Sequence, residues 1–389
     1  MNRFEIILKH IRFDDLETRK ERKNDDKFAP FRAMWEMFIQ NCKRNYNPSE
    51  NVCIDEQLVP FRGRCCFRQY LPSKPDKYGL KIFLLVDCKT GYIYHGIPYT
   101  GGVPGNGPTV GLASKTVKEL VSDLHDSGRN ITADNFFTDF NLADELLLKR
   151  LTLVGTVRKN KKDLPPEFQA DKNRTVGSSL FGFDKNVTIV SYVPKRNKSV
   201  TLLSTMHHDN SVDADSGKPE IILFYNATKG AVDTVDQLCH SYSVQRKTKR
   251  WPLACFYNLL NLTCINAFVI FMNSFPNWNR SKLNRRRLFL LELGMSLVKP
   301  TITMRARCSV GIQRPIQEAI KACQTQESRV DQSEGNPVCT NVNKASRKRC
   351  YMCLKKDRKA QRICERCKNP VCGEHSSKRQ SITCLRKCK

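Results

Sequence analysis

Four aspartates, set against an alternation of short apolar runs, constrain this chain more than any other feature. The segment Val52-Cys53-Ile54 runs into Asp55-Glu56 and reads as a first strand closed by an acid. Residues 80–87 and 92–99 read as two further strands around the turn Cys88-Lys89-Thr90-Gly91. Residues 115–124 have helical periodicity, 130–133 form a strand closed by Asp134, 142–148 a helix and 151–157 another strand. Far downstream, Asp233 and Asp236 stand three apart, on one face of a helix expected over 231–242.

Strand, hairpin, helix, strand, helix, strand, with acids at two strand ends and on a late helix, is the α/β pattern of a ribonuclease-H-like nuclease core. Phosphodiester cleavage with two divalent cations explains the acids: one ion activates the attacking oxygen and the other stabilises the leaving oxygen. Carboxylates suit Mg2+ (or Mn2+), which keeps part of its water shell and takes phosphate oxygens as further ligands. A single element cannot surround two ions, so the ligands must come from several. An aspartate at a strand end is also a common turn former, and paired acids also occur on solvated helix faces. Spacing by itself leaves both readings open.

The flanking segments differ in texture. Residues 1–50 read as mostly helical, with Phe4, Ile7, Leu8 and Ile11 on one face. From Lys159 to about Glu220, short β-rich pieces (180–183, 187–193, 200–205 and 221–225) alternate with polar turns, as an inserted unit would. Helices are expected again over 231–242, 253–272 and 282–297, and 325–348 reads as a polar linker. Residues 253–272 carry no charge, but Asn258, Asn261, Asn266 and Asn273 share one sector of the wheel. That marks a buried amphipathic helix rather than a membrane span.

The formal net charge of +28 points to a polyanionic partner. Between Cys339 and Lys389, 16 Lys and Arg face only Asp357, Glu365 and Glu374, so the excess concentrates there. The first residues lack an apolar signal core, so a reducing compartment is expected for the 18 cysteines. Seven of these fall between Cys350 and Cys388 at metal spacing. Cys350-x2-Cys353, Cys364-x2-Cys367, Cys372-x2-His375 and Cys384-x3-Cys388 supply eight ligands, enough for two tetrahedral Zn2+ sites. Sequential and alternating pairings both fit this spacing. Gly101 to Gly111 with Ser114-Lys115-Thr116 is not a Walker A loop, because Ser114 stands where that loop requires glycine.

Several blocks resemble the piggyBac transposase family. They are Asp55-Glu56-Gln57-Leu58-Val59-Pro60-Phe61-Arg62-Gly63-Arg64, Tyr70-Leu71-Pro72-Ser73-Lys74-Pro75-Asp76-Lys77-Tyr78-Gly79, and Asn130-Ile131-Thr132-Ala133-Asp134-Asn135. Val154-Gly155-Thr156-Val157-Arg158, Gly230-Ala231-Val232-Asp233-Thr234-Val235-Asp236-Gln237 and Arg246-Lys247-Thr248-Lys249-Arg250-Trp251-Pro252 continue it in order. The resemblance implies catalytic, Mg2+-binding roles for Asp55, Asp134 and Asp233, and a functional role for Asp236. It also implies metal-dependent DNA strand cleavage, hairpin formation and joining at TTAA targets, a homodimer on double-stranded DNA, no membrane association, and a nuclear location. The alternative is a domesticated or decayed derivative that binds DNA without cutting it.

On this resemblance the chain divides into a helical DNA-binding and dimerisation region (1–50 and 243–322) and a ribonuclease-H-like core (51–158 and 221–242). A β-rich insertion domain covers 159–220, a linker 323–347 and a cysteine-rich zinc-binding module 348–389. The family's cross-brace implies Cys350, Cys353, Cys372 and His375 on one zinc, with Cys364, Cys367, Cys384 and Cys388 on the other. Proximity to the implied active site makes Arg246, Lys247, Lys249, Arg250 and Trp251 DNA-binding candidates, the indole by stacking. Arg62, Arg64, Lys74 and Lys77 are further candidates. Two departures stand out. Family members carry a long, partly acidic N-terminal region before the point where this chain begins, and their Gly-Gly-Val-Asp reads Gly230-Ala231-Val232-Asp233 here.

Overall fold

The computed structural model describes residues 3–101, 111–159, 161, 163–169, 171–307 and 311–330, with 350, 353, 360, 362–363 and 369–372 near the end. Two compact units are present, Met1–Leu297 and Val298–Lys389. Helices α1 (Arg3–His10), α2 (Arg19–Asp25) and α3 (Ala29–Arg44) open the chain. Strands β1 (Asn51–Pro60), β2 (Gln69–Tyr70), β3 (Tyr78–Asp87) and β4 (Ile93–Pro98) come next, then α4 (Leu112–Leu120), β5 (Asn130–Ala133), α5 (Phe140–Leu148) and β6 (Thr152–Thr156). After β7 (Ser179–Asp184), β8 (Val187–Lys195) and β9 (Lys198–Ser204) the described elements are helical: α6 (Glu220–Thr228), α7 (Ala231–Ser241), α8 (Trp251–Ser274), α9 (Arg285–Arg307) and α10 (Arg314–Val330). The short strands β10 (Arg362–Ile363) and β11 (Pro370–Val371) pair with each other in the second unit.

Nine strands make one sheet in the order β2-β3-β1-β5-β6-β9-β8-β7, with β4 also on β3. β3 runs antiparallel to β1 and β4, whereas β5 is parallel to β1, and β6 to β5. Side chains alternate across a strand, and β3 shows what that achieves. Leu80, Ile82, Leu84 and Val86 pack into one apolar cluster with α3, α7 and α8. Phe83 and Leu85 pack into another with α4 and α5. Helices cover both faces, so the central strands read as continuous apolar runs.

Several sequence expectations are corrected here. Residues 221–225 are helical: Ile221, Ile222, Tyr225 and Thr228 bury one side of α6, a spacing that a strand cannot present to one face. Within residues 159–220, β9 pairs antiparallel with β6, so this segment continues the central sheet. β1 continues five residues beyond Asp55 to Pro60, so Asp55 lies mid-strand, one residue past the last that pairs with β5. The stretch expected as a linker begins inside α10, which runs to Val330; residues 331–349 lie outside the described set, as does most of the Gly/Pro-rich loop.

α8 is long and apolar enough to cross a membrane, yet three of its four asparagines, Asn258, Asn261 and Asn266, are buried in the protein. Asn266 Nδ2 donates to the Ile93 carbonyl at 2.8 Å and its Oδ1 accepts from the Ile93 N–H at 2.8 Å. Asn258 Nδ2 donates to Gln57 Oε1 at 2.8 Å. Each such bond is worth about 1 kcal/mol net, and together they fix the register of α8 against the sheet. Asn273 is exposed.

Candidate active site

Strand register builds the site. The parallel pairing of β1 with β5 ends at Ile54 opposite Ala133, so Asp55 and Asp134 are the next residues on neighbouring chains. Parallel neighbours lie roughly 4.8 Å apart, close enough for two carboxylates to share an ion. Among the described residues, Asp55, Glu56 and Asp134 offer carboxylate oxygens that all lie within 4.8 Å of one another. Asp134 is fixed by its own turn: Oδ1 accepts from the Phe136 N–H at 2.9 Å, and its carbonyl accepts from Thr138 Oγ1 at 2.8 Å.

Helix α7 brings the other two acids. Ala231, Val232, Val235 and Cys239 bury its inner side, leaving Asp233 exposed in the first turn and Asp236 half-buried. Gln57 Nε2 donates to Asp236 Oδ1 at 2.7 Å, and Gln57 is itself held by Asn258, so a buried relay ties α7 and α8 to β1. Asp233 does not join the three-carboxylate cluster. It meets Lys74 Nζ at 3.2 Å, and the same ammonium donates to the Glu56 carbonyl at 3.1 Å.

Crowding raises the cost of the charged forms. Burial, and then the Glu56 carboxylate, push Asp55 up to about 7, against the Glu56 backbone N–H and Lys74. Burial and Glu56 push Asp134 up as well. Burial pushes Asp236 up to about 6, although Gln57 and Lys74 favour its ionised form. A cation among these groups offsets both burial and mutual repulsion, and an all-oxygen donor set fits a hard divalent ion. Sequence reasoning missed Glu56 and Gln57, although both sit in the Asp55-Glu56-Gln57 motif. It also assigned Lys74 to DNA rather than to the acids.

The basic candidates sort by contact. Arg62, Arg64, Lys77, Arg246, Lys247 and Lys249 are exposed. Two stretches far apart in sequence meet here: Gln245 Nε2 donates to the Pro60 carbonyl at 3.1 Å, and Gly63 lies against the Lys249 carbonyl. Arg62, Arg64, Lys247 and Lys249 therefore belong to one surface. Arg250 and Trp251 are half-buried and make contacts within the protein. The Arg250 guanidinium donates to the Leu8 carbonyl at 2.9 Å and to the Ile11 carbonyl, capping α1. Trp251 stacks on Phe28 at 5.4 Å and meets Phe67 edge-on at 5.0 Å, so its indole is part of an aromatic cluster.

In the second unit, Cys350, Cys353 and Cys372 converge, and all three sulfurs lie within 4.8 Å of one another. Cys372 follows β11 directly, and its Sγ is 3.8 Å from that of Cys353. Thiolates about 2.3 Å from a tetrahedral Zn2+ would be about 3.8 Å apart, so the donors fit that ion. Cys372 beside the Cys350–Cys353 pair is the arrangement the alternating scheme requires. His375, Cys364, Cys367, Cys384 and Cys388 lie outside the described residues.

A mixed α/β sheet with acids where two parallel strands stop pairing defines a class, and comparison with known proteins identifies it: the family model described as Transposase IS4 matches residues 1–268. A solved piggyBac transposase, imaged as a synaptic complex with hairpin DNA, is 38% identical, with a TM-score of 0.75 over 98% of this chain and 79% of that one. The chain belongs to the piggyBac transposase family. The human PiggyBac transposable element-derived protein 3 is 27% identical over an alignment of 283 residues that covers 67% of this chain and 46% of that protein. The human Chimeric ERCC6-PGBD3 protein matches at the same identity over 26% of its length. This chain thus spans about half, or less, of the curated relatives it matches.

Proposed function

We propose that this protein is a DNA transposase with a ribonuclease-H-like core, cutting and joining DNA strands with divalent metal at TTAA sites. The observation that carries the reading is the convergence of Asp55, Glu56 and Asp134 where β1 and β5 stop pairing, with Asp233 and Asp236 delivered beside them by α7. Asp55, Asp134 and Asp233, with Glu56 as a further donor, would hold Mg2+ or Mn2+, which lowers the cost of charge on the attacking and leaving oxygens. In the cleavage step a water oxygen forms a bond to phosphorus and the bond to the 3′ oxygen breaks, freeing a 3′-hydroxyl. That hydroxyl then attacks a phosphorus of the opposite strand and displaces a 3′ oxygen on the flanking DNA, giving a hairpin like the DNA in the solved relative's complex. Water would reopen the hairpin and free the 3′-hydroxyl again, which then attacks a phosphorus in TTAA target DNA and displaces a target 3′ oxygen.

Arg62, Arg64, Lys77, Arg246, Lys247 and Lys249 would carry the DNA backbone past the acids. Two Zn2+ would order the C-terminal module, one on Cys350, Cys353, Cys372 and His375, the other on Cys364, Cys367, Cys384 and Cys388. The assembly is a homodimer acting in the nucleus. Incubating the purified protein with Mg2+ and a DNA carrying the inverted repeats of its own element tests the reading. Asp134→Ala is expected to abolish cleavage while DNA binding survives. Cleavage by that variant at the wild-type rate would overturn the assignment. Binding without cleavage by the wild-type protein would identify a domesticated derivative.

A further inference from the structure

Lys74 has a place in the fold that phosphate binding does not explain. It sits in the turn between β2 and β3, closed by Leu71 N–H to Lys77 carbonyl at 2.7 Å and by Lys77 N–H to Lys74 carbonyl at 3.1 Å. Pro72 and Pro75 flank it, and Lys77 adopts φ +50°. The turn is tied to α7 twice, by Lys74 to Asp233 and by Asp76 Oδ2 to His240 Nε2 at 3.1 Å. The lysine side chain is only 17% exposed, whereas that of its partner Asp233 is 68% exposed. A lysine placed to meet DNA would be the exposed member of the pair.

We propose that Lys74 is a positioning residue, the built-in counter-ion of the acidic site. Its ammonium holds Asp233 and the first turn of α7 beside β1, and competes with a divalent cation for Asp233. The ammonium interacts favourably with Asp55, Asp233 and Asp236 together, so one positive charge serves three acids. A single positive charge there limits their repulsion. The same charge opposes a second cation, so the site takes its full metal complement only when Lys74 moves off Asp233. An arriving DNA phosphate is the anion chemically suited to draw it away. This inference rests on the proposed metal-dependent function and adds a substrate-linked step to metal loading.

The test is calorimetric titration of Mn2+ into the full zinc-loaded chain without DNA, comparing wild type, Lys74→Met and Lys74→Arg. Removing a unit charge a few Å from a divalent ion is expected to tighten Mn2+ binding roughly tenfold in Lys74→Met, with Lys74→Arg close to wild type. Thermal unfolding of each variant checks folding, and Lys74→Gln replaces Lys74→Met if the latter does not fold. A lysine that merely pins α7 predicts the opposite sign, weaker or unchanged Mn2+ binding on its removal, and that result would overturn the proposal. Asp134→Ala separates the two levels. If Mn2+ binding by the wild type is indifferent to Asp134→Ala, the metal-site reading itself fails. If binding depends on Asp134 but Lys74→Met does not tighten it, only the counter-ion role fails.

Discussion

Replacing Gly155 with alanine is expected to unseat Asp134 without touching it. Gly155 lies on β6 opposite Ala133, the residue before the aspartate. A Cβ there would stand 2.1 Å from Thr138 Oγ1, 2.7 Å from the Ala133 carbonyl oxygen and 3.2 Å from Thr138 Cβ. Thr138 must rotate away, losing its bond to the Asp134 carbonyl, worth about 1 kcal/mol. The Ala133 carbonyl is backbone inside a paired sheet, so it yields only by shifting β5 against β6, and overpacking of that kind costs about 1–3 kcal/mol. The sum is about 2–4 kcal/mol. Urea denaturation of wild type, Gly155→Ala, Thr138→Ala and the double variant measures it. Thr138→Ala removes the atom in the worst clash, so the double variant should be less destabilised than the two singles predict, by about 1 kcal/mol. Mg2+-dependent cleavage should fall with stability, since the displaced turn carries Asp134. A Gly155→Ala protein within about 0.5 kcal/mol of wild type, a shift typical of a neutral surface change, would refute the reasoning, as would strict additivity.

Replacing Arg62, Arg64, Lys247 and Lys249 together with alanine should make DNA affinity less dependent on salt, the slope of log K against log salt shrinking by about 0.9 per lost phosphate contact. An unchanged slope would place the DNA path elsewhere. Trp251→Ala, which opens the cluster with Phe28 and Phe67, should destabilise the fold by about 3–5 kcal/mol while leaving that slope alone, read by denaturation beside the salt series. Elemental analysis should find two zinc ions per chain, and a chelator should melt the C-terminal module as followed by circular dichroism. Zero zinc would refute the ligand assignment.

Much of the core was legible because its signals are local. Val52-Cys53-Ile54 and 80–87 read as strands because both faces are covered by helices, which forces apolar residues at nearly every position. Asp134 was found at the end of its strand for the same reason: the apolar run stops where pairing stops. Cysteine spacing pointed to a candidate metal site, where Cys350, Cys353 and Cys372 do converge, because Cys-x2-Cys turns are short-range geometry. Residues 221–225 were misread because five consecutive bulky residues suit a strand or a buried helix equally.

Contacts between distant segments belong to the tertiary structure. That Asp55 and Asp134 adjoin depends on the parallel register of β1 and β5, which no local pattern encodes. Glu56 joins them, Gln57 bonds to Asp236, and Lys74 turns to Asp233 across 159 residues. Arg250 and Trp251 were read as DNA-binding candidates because a cation beside an aromatic has the composition of a nucleic-acid surface. Whether such a pair faces solvent or core depends on what packs against it: here the carbonyls at the end of α1, and Phe28 and Phe67. The sequence alone determined which acids and thiols are available. Folding decided which of them meet, because carboxylate and ammonium interactions act over a few Å of space however many residues of chain lie between.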